Sequence, residues 1–547
     1  MRRTLRRFGN EPVFNMAFFI LILATLFLIV YPVWRVIFYP SLEDYLAFPQ
    51  NARWLKALTN SMVMMVLSMI TCSTLAFLFS YSIVRLRIKG KALFRFITLL
   101  PIVSPPFIVA LSYILLFGRQ GLITNHLLGV RLNIYGWQGL WAVQTISFFP
   151  YAYAVIEGVM RNIPENMEYA ARNLGAGKWR AFWDVFFPLC RPGVAGGAMI
   201  AAISVLADFG NPSMIAGNFH LLPIEAYMQM VGWYNMTGAA VLSTVLLIPT
   251  FAIFLLNRYW LGSRAYTTTS GKESFLPPQS LPKLVEWTVF SICLIVSIFV
   301  LLVYGVLLVG AFSKTWGYDW SLDLSNFAQI YQKRKLLFNS LEYAAISSVL
   351  ASSAGFALAF LVERVKLPGK KILDFLAVLP GAVPGIFLGL GFALALGPPP
   401  FALTGTPTIM IVALSIWNIP TCYNANRARL QQISDSIEQA ARNLGASKCK
   451  VVSGIFFPIL KRTILSSLML SFLRSMTCLS VVIFIYGVST TVSTISVLSL
   501  VNSGDWSGAA AFTSVIITVA FTSMGIFKLA ERIFSIVSGD KHGRSTY

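Results

Sequence analysis

Apolar residues fall into long blocks along this chain, separated by short stretches that carry nearly all of the charge. Each block is on the order of 20 residues, the length at which a helix crosses the hydrocarbon of a bilayer. The blocks predict twelve helical spans: 14–34, 60–84, 96–117, 140–160, 193–209 and 238–258, then 287–312, 340–362, 372–396, 407–430, 463–486 and 509–530. The first follows the basic stretch MRRTLRRF. Its apolar core is longer than that of a cleaved leader, and YPVWRV offers no small-residue cleavage site, so it reads as a retained anchor.

The pattern repeats. LTNSMVMMVLS (Leu58–Ser68) aligns with LFNSLEYAAIS (Leu337–Ser347), pairing Asn60 with Asn339. LLPIVSPPFIVAL (Leu99–Leu111) aligns with VLPGAVPGIFLGL (Val378–Leu390), pairing Pro101 with Pro380 and Pro105 with Pro384, again at an offset of 279. Two polar islands, EYAARNLGAGKWRAFWDVFFP (Glu168–Pro188) and EQAARNLGASKCKVVSGIFFP (Glu438–Pro458), are identical at 12 of 21 positions and offset by 270. The first half therefore holds nine extra residues, placed in the loop 118–139. Six spans in each half, an even number, make the repeats parallel and imply a pseudo-two-fold axis along the membrane normal. The expected organisation is a first repeat over 1–260 with its polar loop at 165–188, a Pro/Ser-rich linker over 261–284, and a second repeat over 285–547 with its loop at 435–458.

Composition narrows the class to an all-α polytopic membrane protein. The 547 residues are 56% hydrophobic and 12% charged, where soluble domains carry about 25% charged residues. With the N-terminus inside, cytoplasmic segments hold 33 of the 43 Lys and Arg, outside loops hold nine, and Arg474 lies within a span. That split places both ends in the cytoplasm. It also accounts for the net charge of +22 without a nucleic-acid partner. Cysteines at 72, 190, 293, 422, 449 and 478 form no CxxC and read as small buried side chains. Three scattered histidines, at 126, 220 and 542, leave no His-based metal cluster visible. No glycine-rich stretch ends in Gly-Lys-Ser or Gly-Lys-Thr, so ATP chemistry is expected from another polypeptide.

Each polar island falls between the fourth and fifth spans of its half, on the cytoplasmic side. Its pattern predicts a helix over 164–174, a left-handed break at Gly175 or Gly445, and a second short helix stopped by Pro188 or Pro458. Trp179, Phe182, Trp183 and Phe186 make the second helix of the first copy amphipathic, which suits either the lipid headgroups or a partner protein. Two copies about a two-fold axis suit a symmetric pair of partners.

These segments resemble the EAA loop of permease subunits in bacterial ABC importers, in both halves of the chain. The resemblance implies the type I importer permease fold and a multi-pass place in the bacterial inner membrane. Two copies of a cytoplasmic ATPase would dock one on each loop and hold ATP and magnesium, with no cofactor in this chain. A periplasmic substrate-binding protein would deliver the cargo. The positions implied for coupling are Glu168, Ala170, Ala171, Gly175, Ala176, Trp179, Phe182 and Pro188, with Glu438, Ala440, Ala441, Gly445, Ala446 and Pro458. One departure stands out. The family commonly has glutamate six residues before the glycine, where this chain has Tyr169 and Gln439. Glu168 and Glu438 sit one position earlier, turned by about 100° around a helix.

Ionisable groups within spans are candidate path residues. Asp208, with Asn211 in VLADFGNP, ends the fifth span, and Arg474 lies in SFLRSMTCLS of the eleventh. Arg474 corresponds to Ser204, one helical turn before Asp208, so these groups are either a structural ion pair or a lining of the path. Asn418, Asn424 and Glu157 read as helix–helix hydrogen-bonding groups. Gly381, Gly385 and Gly389, beside Pro380 and Pro384, predict close packing with a kink. ADFGNP and FLRSMTCLSVVIF look like the fused permeases for ferric iron; the same broad group includes carriers of phosphonates, sugar phosphates, polyamines and thiamine. An ion-coupled secondary transporter is the competing class, since twelve spans in two parallel halves fit it too. A membrane-embedded enzyme would need clustered His, Asp or Cys at span ends, and none is visible.

Overall fold

The computed structural model describes residues 12–86, 90–105, 107–261, 282–365 and 369–537. Among these the chain is helical apart from one two-stranded hairpin, Ser313–Thr315 with Asp319–Leu322. Ten helices are long and apolar enough to cross a membrane, and eleven if a bent pair counts as one span. The predicted span 407–430 is the helix Pro407–Gln431; Asn418, Asn424, Asn426, Arg427 and Arg429 make it too polar to join that set. The bent pair is the predicted span 372–396, which turns by 106° between Lys370–Gly381 and Gly385–Leu396. Its glycines act as expected. A Cβ on Gly385 would lie 2.1 Å from Ser480 Oγ, and one on Gly389 2.3 Å from the Val481 carbonyl oxygen.

Two expected boundaries are corrected. The fifth span is no short segment, because Phe187–Leu206 continues directly from the polar loop. The eleventh ends at Met476 and does not reach 486. Thr494 Oγ1 donates to the Cys478 carbonyl at 2.9 Å, so a side chain satisfies a carbonyl that a further turn would have used. The apolar run CLSVVIFI (478–485) is largely buried in irregular chain and short turns, which apolarity alone does not separate from a helix.

The chain forms two compact units that do not coincide with the sequence repeats. One takes Ser41–Lys333 and Ser496–Val515; the other takes Arg334–Ile495 with the described parts of Met1–Pro40 and Ile516–Tyr547. Each repeat thus gives its first helix to the unit built on the other. Tyr31–Ile37 packs on Gly385–Leu396, where Gly391 lets the Pro32 carbonyl approach to 3.0 Å of a would-be Cβ. Lys283–Phe312 packs on Ala52–Val84, Lys91–Val103 and Phe107–Phe117. The linker expected at 261–284 lies almost wholly outside the described residues.

The centre of each unit is a three-helix contact made close by small residues. In the first, Ala52–Val84 meets Trp137–Arg161 and Phe187–Leu206, with Gly193 against Val159 and Gly197 against Ala152 and Ile156. In the second, Arg334–Arg364 meets Pro407–Gln431 and Phe457–Met476, with Gly355 against Cys422. Five cysteines, 72, 190, 293, 422 and 478, are buried and unbridged.

The repeat is also legible atom by atom. Asn60 Nδ2 donates to the His220 carbonyl at 2.9 Å, and Ser61 Oγ accepts from Leu222 N at 3.0 Å. Asn339 Nδ2 donates to the carbonyls of Ser489 and Thr491 at 3.1 and 3.0 Å, and Ser340 Oγ accepts from Ser493 N at 2.8 Å. The nine extra residues fall where expected: 19 residues separate Phe117 from Trp137, while ten separate Leu396 from Pro407.

Candidate coupling loops and polar groups of the spans

Both polar islands adopt one backbone. Asn166–Asn173 and Asp435–Asn443 are helices, each followed by a turn at a left-handed glycine, Gly175 at φ +92° and Gly445 at φ +81°. Open space surrounds both glycines, so a side chain there would strain the backbone and not the packing. A short helix follows, Lys178–Ala181 or Lys448–Val451, and then a π-helical turn, Phe182–Phe186 or Val452–Phe456. Here the expectation about proline is overturned. Pro188 and Pro458 do not stop the helix; they occupy the first turn of the spans Phe187–Leu206 and Phe457–Met476. The helix runs on through each proline, past the π-helical turn that precedes it.

The coupling positions divide by exposure. Ala170 and Ala440 are exposed, while Ala171, Ala441, Ala176 and Ala446 are half-buried. Trp179 is exposed, Phe182 is buried, Pro188 is half-buried and Pro458 is exposed. The most exposed apolar side chains of the loops went unremarked in the sequence. Leu174 is 90% exposed and Leu444 89%, at the same place in each turn.

Each loop is held to the membrane core by an arginine that sequence reasoning also missed. Arg85, just past the C-terminal end of Ala52–Val84, is buried; its Nη1 lies 3.3 Å from Glu168 Oε1 and 3.8 Å from Glu165 Oε1. Its Nη2 donates to the Ile163 carbonyl, and its guanidinium lies 4.6 Å from the centre of the Phe186 ring. Arg364, 279 residues later, repeats this set: it pairs with Asp435, donates to the carbonyls of Leu430 and Ile433, and covers Phe456 at 5.2 Å. Both were visible as one aligned Arg in IVRLR and VERVK. Glu168 is thus a buried ion-pair partner despite its shifted place. Burial pushes its carboxyl above the ordinary glutamate range, Arg85 pulls it back, and Glu165 adds to the rise. Glu438 is half-buried, and its repeat's pairing with the buried arginine falls to Asp435.

Above the loops the repeats share a motif of opposite sign. Glu157, buried near the end of Trp137–Arg161, pairs with Arg161 Nη2 at 2.7 Å and Arg95 Nε at 3.4 Å. Its counterpart is Arg427, whose Nε lies 2.7 Å from Glu363 Oε1 and whose Nη1 lies 2.7 Å from Asp374 Oδ1. Asp374 corresponds to Arg95, and Tyr423 to Tyr153. The contact between the third and fourth spans is therefore kept while both charges are exchanged.

Of the candidate path residues, the structure brings Asp208 and Asn211 together. Asp208 Oδ2 accepts from Gln144 Nε2 at 3.0 Å and Asn211 Nδ2 at 3.1 Å, and Oδ1 accepts from Asn211 N at 3.2 Å. Ser147 Oγ accepts from Asn211 Nδ2 at 3.4 Å. Arg474 makes other contacts: it donates to Thr421 Oγ1 and lies 4.5 Å from the centre of the Trp417 ring. Each makes these contacts within its own unit. Asn418 joins two helices through Ser475 Oγ at 2.9 Å, as expected. Among the described residues, no three His, Cys, Asp or Glu side chains come together as a metal site.

The chain matches one family twice, at residues 73–315 and 341–534, the family described as "Binding-protein-dependent transport system inner membrane component". A "Ferric transport system permease protein FbpB" of Actinobacillus pleuropneumoniae is 32% identical over 454 residues, 80% of this chain and 66% of that protein, just under two thirds of its length. A Haemophilus influenzae protein named for the same ferric transport role, FbpB 1, is 32% identical over 493 residues, 86% of this chain and 78% of that one. A "Molybdenum transport system permease protein ModB" of Escherichia coli K12 is 31% identical over 191 residues, 34% of this chain and 82% of ModB. With both of its repeats matched, this chain belongs to the inner-membrane components of binding-protein-dependent transport systems, as a fused double permease.

Proposed function

We propose that the chain is the transmembrane permease of an ATP-driven ABC importer, with ferric iron as its cargo. The observation that carries this reading is the doubled loop: one backbone built twice, each copy ending in a fully exposed leucine and tied by a buried arginine to a span. Such a pair suits two copies of one ATPase subunit, which would hold ATP and magnesium. The bias of Lys and Arg supports placing the loops and both termini in the cytoplasm. Iron is favoured because the long relatives named above are ferric transport permeases. The outer carboxylates fit a chain that receives its cargo from a binding protein. Of the six carboxylates in segments expected outside, Glu43, Asp44, Glu225, Asp319, Asp323 and Asp505, five are engaged locally: Asp44 with Ser41, Glu225 with Arg53 and His220, Asp319 with Lys314, Asp323 with Ser325 and Asp505 with Gly508.

The test is uptake of radiolabelled ferric iron by cells whose only iron importer is this system. Wild type is expected to take up iron in an ATP-dependent way. The pair Gly175→Val and Gly445→Val is expected to abolish uptake while the protein still reaches the membrane, since only the loop backbones are strained. Wild-type uptake by the double variant would refute coupling through the loops. Transport of molybdate in place of iron would overturn the cargo alone.

A further inference from the structure

The two loops share a backbone but not a surface. In the first, Trp179 is 52% exposed and Trp183 45%. They form a continuous aromatic cluster: Trp179 to Phe182 at 6.1 Å, Trp179 to Trp183 at 6.0 Å, and Trp183 to Phe187 at 4.9 Å between ring centres. Phe182 carries the cluster inward to Tyr81 at 5.8 Å and Phe77 at 6.4 Å, both on Ala52–Val84. The corresponding positions of the second loop are Cys449, Val452 and Ser453. Its ring contacts are Phe360 with Phe456 and Phe356 with Phe457, and no tryptophan takes part. Charge differs too. Arg180 pairs with Asp184 at 3.2 Å in the first loop, where the second has Lys450 and Gly454. What the loops share is Leu174 with Leu444, and Met167 with Ile437, exposed to 45% and 42%.

We propose that the loops are unequal docking surfaces for the ATPase subunits: the first binds more tightly, through Trp179 and Trp183, and the second binds through the shared leucine and its neighbours alone. This rests on the permease reading above. The patch belongs to the same occupant as the leucine because it lies on the next helix after the left-handed turn and is continuous with a surface that is built twice. An anionic lipid surface fits less well, since Asp184 stands beside Trp183 with its side chain 63% exposed. Large aromatic side chains at a protein interface carry a disproportionate share of affinity, so their loss from one surface is felt as a difference in occupancy. The aromatic column from Trp179 to Tyr81 also joins docking to a membrane helix more directly in the first repeat.

The experiment titrates the partner ATPase against the purified full-length chain in lipid nanodiscs and counts bound subunits by native mass spectrometry. Two binding steps separated by at least tenfold in affinity are expected. Trp179→Ala with Trp183→Ala should weaken the tighter step at least tenfold and bring the two together, and Trp179→Phe with Trp183→Phe should retain most of the separation. Hydrogen exchange on the wild-type chain gives a second readout that needs no variant: half-saturating ATPase should protect 178–187 before 448–457. Equal steps and equal protection in the wild type would overturn the inequality while leaving the permease reading intact; no ATPase binding at all would remove that reading itself. Quenching of the loop tryptophans by brominated lipid, unchanged by added ATPase, would assign the patch to the membrane and overturn the proposal.

Discussion

Arg85 and Arg364 show how one residue can place a whole loop. A buried guanidinium needs partners on several sides, and here a carboxylate, backbone carbonyls and an aromatic face all come from the loop or the end of the helix before it. Removing Arg85 leaves Glu168 buried without its cation. Arg85→Met is expected to destabilise the first repeat by about 3 kcal/mol, the usual cost of breaking a buried pair. Adding Glu168→Gln should recover most of this, and thermal unfolding of the purified chain measures both. The pH dependence has a definite sign. Because Glu168 holds its proton more tightly in the folded loop, its contribution is fully present below the ordinary glutamate pKa and is lost as pH rises through the raised value. Arg85 limits that loss, so the Arg85→Met variant should fall more steeply in stability between acid and neutral pH than wild type. Lack of added pH sensitivity in the variant would count against this account. These arginines were legible only in part: sequence alignment pairs them, but they lie among the many cations between spans, whose number already answers to the expected topology.

At the scale of elements, the triads around Glu157 and Arg427 keep a geometry and reverse its charges. Identity matching passes over such a site because Glu157 aligns with Arg427 and Arg95 with Asp374, opposite in sign, while Arg161 aligns with Gln431 and Glu363 with Val84. Arg427→Glu alone would face Asp374 and Glu363 with a third carboxylate, and transport and stability should both drop. Adding Asp374→Arg and Gln431→Arg supplies both arginines of the first repeat's triad, with the residue at 431 beside Glu363, and should restore stability toward wild type. A triple variant no better than the single one would show that the fourth span reads its neighbour by something other than this pairing. Other elements were open to reading where the cause is local: the left-handed glycines, the close-packed Gly385 and Gly389, and the nine-residue insertion before Trp137. The π turns and the early end of the eleventh span were not. Pro188 has the same sequence signature whether it stops one helix or begins the next, and only the surrounding packing decides.

For the molecule as a whole, repeat and compact unit are different divisions of one chain. Hydropathy gave the spans and their duplication; it holds no information on which helix packs against which, so the exchange of first helices was hidden. That exchange predicts how the chain tolerates cutting. Residues 1–270 and 271–547 expressed separately should each be degraded, because each lacks a helix that completes its unit. Co-expressed, the fragments should co-purify and support iron uptake. Stable accumulation of either fragment alone, with native-like resistance to protease, would contradict the exchange.

The helix exchange also has a consequence for the order of events at the ribosome. Tyr31–Ile37 is made some 350 residues before Gly385–Leu396, on which it packs. At 5–20 residues per second, that interval is roughly 20–70 s. During it that helix waits in the bilayer with Pro32 and Val36 facing lipid or an insertion chaperone, and the unit it belongs to closes only once Gly385–Leu396 has been made. A slow stretch of translation before residue 385 would therefore lengthen the life of an unfinished protein, and a membrane protease that recognises unpaired helices would compete with its completion.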